Sequence, residues 1–262
     1  MKFVVCIKEV PDTIEVKMDP VRNTLIRTDV PSIINPFDAF ALELALQKKD
    51  INPDIEITTL SMGPPQAEKS LRKTIAMGAD NAILISDIAF AGSDTWATSM
   101  ALSTAIKKIG SVDLVFAGQQ AIDGDTAQVG PEIAEFLSLP QAIFIRDLNF
   151  DGENKIIVER ITETGYEILD ILLPALVSVI KLPRDPRLPS LRGMMKSKRA
   201  EIIKWNASDL DLDAKTLGLD GSPTKVIKIF TPEKRVGGEL WDYEPKKTAA
   251  RLADLLKEKR II

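Results

Sequence analysis

The stretch "VDLVFAGQQAIDGDTAQVGP", residues 112–131, runs from an apolar segment into a loop dense in small and acidic residues. Its first part, "VDLVFAG", has the β-branched and aromatic content of a short strand buried on both faces. Its second part places Asp123, Gly124, Asp125 and Thr126 together, with Gly130 and Pro131 behind them. A helix is expected next, over residues 132–138. Strand, glycine-bearing loop and helix in this order are the unit of a parallel α/β sheet.

The unit recurs upstream. "FVVCI" (3–7) reads as a first buried strand. In "NPFDAF" (35–40), Asn35 suits a helix cap and Pro36 the first helical position, where its missing N–H costs nothing. Phe37, Phe40, Ala41, Leu44 and Ala45 then fall on one helical face. "IEITTL" (55–60) is the next strand, "SMGPP" (61–65) a turn, and residues 66–77 a helix stopped by Gly78. "NAILIS" (81–86) follows, and then a helix capped by Ser93 or Asp94 and ended at Gly110. The pattern predicts a doubly wound, mostly parallel, Rossmann-like sheet. Ligands of such sheets sit beyond the carboxyl ends of the strands. "SMGPP", "AIDGDTAQVGP" and the Cys6-Ile7-Lys8 segment would all meet there.

After Pro140 the helices give way to "QAIFIRDL", "KIIVERITE" and "YEILDILL", with Gly165 suited to a hairpin between the last two. "ALVSVI" is one more buried strand. These read as an antiparallel extension of the same sheet. From Lys181 the chain turns basic and proline-rich in "KLPRDPRLPSLRGMMKSKR", which cannot be regular throughout. The last segment puts Ala249, Leu252, Ala253 and Leu256 on one helical face. The expected division is residues 1–182 as a nucleotide-binding α/β domain, and 183–262 as a recognition loop and C-terminal arm.

Composition narrows the chemistry. The 262 residues carry a formal net charge of -4, no histidine and one cysteine, Cys6. An acidic chain is a poor match for nucleic acid. Without histidine there is no Ser-His-Asp or Cys-His arrangement and no His-ligated zinc. One cysteine allows no intrachain disulfide. The N-terminal apolar run is shorter than a signal peptide requires, and no run approaches the roughly 20 apolar residues of a membrane span. A soluble, cytoplasmic protein is expected, whose reactions rest on a cofactor or on carboxylates and amines.

Three readings of residues 121–131 stand side by side. A calcium loop begins well, with Asp123 and Asp125, but its twelfth position holds Ala134 instead of glutamate. A plain turn before a helix is the simplest reading. A diphosphate cradle is the third: Gly124 and Gly130 admit a close ligand, Thr126 offers a hydroxyl, and the helix start offers N–H groups. Neither a Walker A loop nor a GxGxxG motif is present. Cys6 suits a small core residue, and Glu43, Glu132 and Glu135 suit a solvated helix face. Trp205 and Trp241 fit either core or partner anchors. Leu188, Leu191, Arg192, Met194 and Met195 place apolar groups among cations, which suits either a solvated loop or a docking arm.

Several segments together resemble the beta subunit of electron-transfer flavoproteins, over nearly the whole chain. They are "VVCIKEVPDT", "NPFDAFALELAL", "SMGPPQAEKSLRKTIAMGAD", "AGQQAIDGDTAQVGPEIAEFL" and "VERITETGYEILDILLPALVS", the last with Arg160, Glu163, Glu167 and Pro174. The resemblance implies pairing with an alpha subunit that carries FAD. It implies a nucleotide here too: AMP in conventional members, FAD in electron-bifurcating ones. "DGDTAQVGP" and "CIKEVPDT" are similar to the bifurcating group. That implies an NADH-dependent flavin oxidoreductase complex. One electron would go to ferredoxin or flavodoxin. The other would go through the alpha-subunit FAD to an acyl-CoA dehydrogenase-like or related flavin dehydrogenase. An adenine-nucleotide-binding regulatory module is the remaining alternative. By position, the resemblance lines the nucleotide with Cys6, Ile7, Lys8, Asn35, Pro36, Phe37, Asp38 and Met62. It adds Gly118, Gln119, Gln120, Ala121, Ile122, Asp123, Gly124, Asp125, Thr126, Ala127, Gln128 and Val129. It puts Leu188 in the place of the docking leucine, and packs the C-terminal helix on the alpha subunit.

Overall fold

In the computed structural model, which describes residues 1–12, 31–227 and 237–262, the N-terminal apolar run is strand β1 (Lys2–Cys6). Alternate side chains of β1 serve two different cores. Phe3 and Val5 join one apolar cluster, and Val4 and Cys6 join another. A strand buried on both faces has no polar side, which is why its sequence runs apolar without interruption.

Short strands β2 (Glu9–Pro11) and β3 (Ser32–Ile34) pair antiparallel and lead into helix α1 (Pro36–Ile51). Then come β4 (Glu56–Met62), α2 (Glu68–Met77), β5 (Asn81–Ile85), α3 (Thr95–Ile109), β6 (Leu114–Gly118) and α4 (Val129–Leu137). Strands β7 (Gln141–Phe150), β8 (Lys155–Thr162), β9 (Gly165–Leu172) and β10 (Ala175–Val179) follow. Helix α5 (Leu191–Arg199), strand β11 (Ile203–Trp205) and a short α6 (Gly218–Gly221) complete the unit Met1–Ile227. Residues 183–227, grouped with the C-terminal arm in the sequence reading, thus add α5 and an edge strand to the α/β body. A second unit, Lys228–Ile262, holds α7 (Pro245–Glu258). No helix among the described residues is long and apolar enough to cross a membrane.

The main sheet has the order β11-β5-β4-β1-β6-β10-β7-β8-β9. All neighbours from β11 to β7 pair in parallel, and β8 and β9 extend the sheet antiparallel. α1 and α2 cover one face, with Phe40, Leu44, Leu71 and Ile75 in the first cluster. α3 and α4 cover the other, with Ala101, Leu102, Ala105, Ile133 and Ala134 in the second. The doubly wound architecture is therefore as expected. β10 slots between β6 and β7, which a linear reading does not show.

Local signals hold with two adjustments. Asp94 caps α3, accepting the Ala97 N–H at 3.1 Å. The 66–77 helix opens with a single 3-10 turn, Pro65–Ala67, before α2 begins. Asn35 occupies the N-cap position of α1 but makes no side-chain cap bond; its amide is used elsewhere. Trp205 is half-buried against the second cluster, and Trp241 donates to Glu239 at 2.7 Å.

Phe116 is fully buried, and its ring lies 5.3 Å from that of Phe3. Phe116→Ala is expected to lower unfolding free energy by about 3–5 kcal/mol, read by urea denaturation; a loss below about 1 kcal/mol would contradict this packing.

Candidate functional site

β1 connects leftward in the sheet to β4, whereas β6, its other neighbour, opens the rightward half. The order in which strands are added to the sheet reverses between these two parallel neighbours, so a crevice opens at their carboxyl ends. The Lys8 and Gly118 N–H groups lie past Val5 and Phe116, the last residues that pair β1 with β6. Asp38, in the first turn of α1, bridges them. Its Oδ2 accepts the Lys8 N–H at 2.7 Å and its Oδ1 the Gly118 N–H at 3.2 Å. The carboxyl is buried. Burial pushes it up from 3.8 to about 7, against the opposing pull of the Lys8, Asn35 and Gly118 hydrogen bonds.

Gly118 has to be glycine. A Cβ there would sit 2.3 Å from Asp38 Oδ1 and 2.7 Å from Asp38 N. Asn35 completes the junction. Its backbone N–H donates to Lys8 O at 2.8 Å. Its side chain donates to Gln120 O at 2.8 Å and accepts the Ile122 N–H at 3.1 Å. The amide that the sequence assigns to a helix cap instead ties down the β6–α4 loop.

That loop is open to solvent from Ile122 to Thr126. Lys8 Nζ reaches over it to Asp123 Oδ1 at 2.6 Å, and the Gln120 amide bonds Asp125. Both aspartates thus have partners that a calcium loop would not give them. Asp125 and Ala127 are left-handed, each at φ 55, a conformation that costs an L-residue and belongs to turns whose N–H groups form anion-binding concavities. Gln128 precedes α4, whose first turn leaves N–H groups free of its own carbonyls. At Gly124 a Cβ would meet only Lys8 Nζ, 3.9 Å away. Open space beside a cation and a helix start fits a diphosphate.

The structure therefore brings Lys8, Asn35, Asp38 and residues 118–129 together. Cys6 and Ile7 are buried beneath them. Burial and the Asp38 charge push the Cys6 thiol up to about 12, so it is a core residue and no nucleophile. Met62 ends β4 on the same sheet edge, packed against the second core cluster. Pro36 begins α1. Phe37 and Gln119 face another space, a cleft of about 690 Å³ that also involves Ile143, Phe144, Arg160, Ile161, Thr162, Glu163, Ile180 and Lys181. Sequence reasoning missed this cleft, because it forms where the β7–β10 register shifts and Phe144 turns left-handed at φ 61. Leu188, Leu191, Arg192, Met194 and Met195 form a separate exposed group on and before α5.

Two glutamates correct the solvated-face reading. Glu43 is buried and paired with Arg187 at 2.8 Å. Glu132 accepts the Thr95 hydroxyl at 3.0 Å and the Ser99 hydroxyl at 2.8 Å, which fixes α4 to α3. Glu135 is exposed, as expected. Among the described residues, no cluster of acidic or cysteine side chains is arranged to hold a metal.

A model of the electron transfer flavoprotein domain matches residues 22–210. A caffeyl-CoA reductase-Etf complex subunit, CarD, of Acetobacterium woodii is 49% identical over 263 residues, covering 100% of both chains. An electron transfer flavoprotein subunit beta of Megasphaera elsdenii is 48% identical over 267 residues, covering 100% of this chain and 98% of its own. A protein FixA of Sinorhizobium fredii is 49% identical over 242 residues, covering 90% of this chain and 85% of its own.

The Asp38 carboxyl gives a pH test. The unfolded chain ionises it near 3.8 and the folded chain near 7. Its contribution to stability is therefore full below the lower value and is lost as pH rises through the upper one. Urea midpoints at about pH 5 and about pH 8 should fall more between the two pH values in the parent than in Asp38→Asn. Equal falls would contradict the raised value.

Proposed function

Given that the chain belongs to the electron-transfer flavoprotein family, as a beta subunit, we propose that its cradle holds FAD. In this reading it serves a cytoplasmic, electron-bifurcating complex that oxidises NADH. The complex passes one electron of each pair to ferredoxin or flavodoxin. It passes the other, through the FAD of an alpha subunit, to an acyl-CoA dehydrogenase-like or related flavin dehydrogenase. A bound FAD supplies hydride acceptance and one-electron chemistry, for which a chain without histidine and with its single cysteine buried has no substitute.

One observation favours a dinucleotide over AMP. Phe37 and Gln119, which neighbour the Asp38 junction, also line the cleft of about 690 Å³ that runs to Phe144 and Arg160. An adenylate would leave this neighbouring space unused, whereas a dinucleotide is long enough to use both. The likeness of "DGDTAQVGP" to bifurcating members supports the same choice, as does the identity with the caffeyl-CoA reductase-Etf subunit.

The residues then divide the work. Lys8 Nζ, the N–H groups of Gly124 and of residues 126–129, and the Thr126 hydroxyl face the diphosphate, while the Asp125 N–H closes the turn onto Ala121 O at 2.8 Å. Asn35 and Asp38 hold the loop and strand ends that present them. Leu188, Leu191, Arg192, Met194 and Met195 meet the dehydrogenase. α7, none of whose residues is buried, packs on the alpha subunit. Residues 1–182 thus form the nucleotide-holding part and 183–262 the part that meets partners.

Two measurements test this. NADH should reduce ferredoxin or flavodoxin only when the dehydrogenase and its acceptor are both present; reduction without them, or none at all, contradicts bifurcation. Gly124→Val should cut the nucleotide held by this subunit at least about tenfold, because its methyls enter the space beside Lys8. The unfolding midpoint of the nucleotide-free chain should stay unchanged. Full retention of nucleotide would move the site elsewhere.

A further inference from the structure

Arg187 is where the basic, proline-rich segment meets the α/β body. Its backbone N–H and its Nε both donate to Glu43 Oε2, at 3.0 and 2.8 Å. Nη2 donates to Glu43 Oε1 at 3.1 Å and to Asp50 Oδ2 at 2.7 Å, and Nη1 to Asp50 Oδ1 at 3.3 Å. Glu43 and Asp50 lie on α1, two turns apart. Glu43 is 6% exposed, and a buried carboxylate is costly unless a cation meets it. The two carboxylates hold the guanidinium well above its ordinary value. A planar fork can meet two carboxylates and keep one orientation, which an ammonium cannot do.

The other end of the segment is fixed as firmly. The Ser190 N–H donates to Ala76 O at 3.3 Å, and Ser190 Oγ caps α5 through the Gly193 N–H at 2.9 Å. A Cβ on Gly193 would lie 2.0 Å from Ala76 O, so α5 touches the end of α2 backbone to backbone. Arg72 Nη1 donates to Ser197 O and Ala200 O at 2.6 and 3.1 Å, and Lys196 Nζ to Ala79 O at 3.1 Å. Between these anchors Leu188 is 85% exposed and Leu191 80% exposed. Two leucines are thus held out in water on a backbone pinned at both sides.

We propose that Arg187 is a positioning residue for partner docking: its fork onto Glu43 and Asp50 holds Leu188 and Leu191 in the arrangement that an apolar pocket of the dehydrogenase receives. The inference rests on the reading of residues 188–195 as the docking arm. Ordering the arm before contact removes the loop entropy that docking would otherwise cost. Because the fork rests on the helix whose N-cap is Asn35 and whose first turn holds Asp38, the arm and the nucleotide cradle share one rigid reference.

The test uses the assembled complex. Electron delivery is measured against dehydrogenase concentration, beside NADH-driven reduction of an artificial dye. Arg187→Gln should raise the apparent KM for the dehydrogenase about tenfold and leave the dye rate unchanged. Arg187→Lys should restore little of it. The pair Leu188→Ala, Leu191→Ala should raise the same KM. If the leucine pair raises KM and Arg187→Gln does not, the positioning role is overturned. If neither does, the docking arm itself is wrong and the inference falls with it. Should Arg187→Gln fail to assemble, Asp50→Asn leaves Glu43 paired and should still raise KM about two- to fivefold; an unchanged KM there overturns the role.

Discussion

The structure depends on one buried carboxyl. Asp38 joins the end of β1, the end of β6 and the start of α1 by accepting the N–H groups of Lys8 and Gly118. A buried carboxyl is unfavourable by itself, and a strand-end N–H left without an acceptor is unfavourable as well. Placed together, the two problems offset each other. This constraint also excludes any side chain at Gly118. It allows Asn35 to spend its amide on the loop, since the entry to α1 is already held. The cradle is the crevice that this junction leaves open.

α1 therefore does more than cover the sheet. Its first turn organises the cradle, its middle supplies buried Phe40 and Leu44 to the core and Glu43 to Arg187, and its last turn carries Asp50 for the same guanidinium. The redox chemistry proposed for the subunit needs position and electrostatics from the protein and a flavin for the electrons. A helix that fixes both the 118–129 loop and the segment that carries Arg187 meets the need which that proposal sets.

Much of this was legible in the sequence. β1, β4, β5 and β6 announce themselves as apolar runs because both their faces are buried, and Asp94 marks the start of α3 by its capping chemistry. The gathering of Cys6-Ile7-Lys8 and "AIDGDTAQVGP" at one edge followed from the parallel order alone. What stayed hidden depends on partners distant in the chain. Glu43 reads as a solvated residue until Arg187, 144 positions later, comes to rest on it. Glu132 does so until Thr95 and Ser99 turn towards it. Asn35 carries a cap signal that a tertiary contact overrides. The place of β10 between β6 and β7, and the cleft beside Phe144, arise from strand order and a register shift that composition does not record.

The central claim is that the cradle holds a working flavin and not an inert adenylate. The direct measurement is a count of released nucleotides from the purified heterodimer of this chain with its alpha subunit. The account predicts two FAD per heterodimer and no AMP. One FAD with one AMP would contradict it.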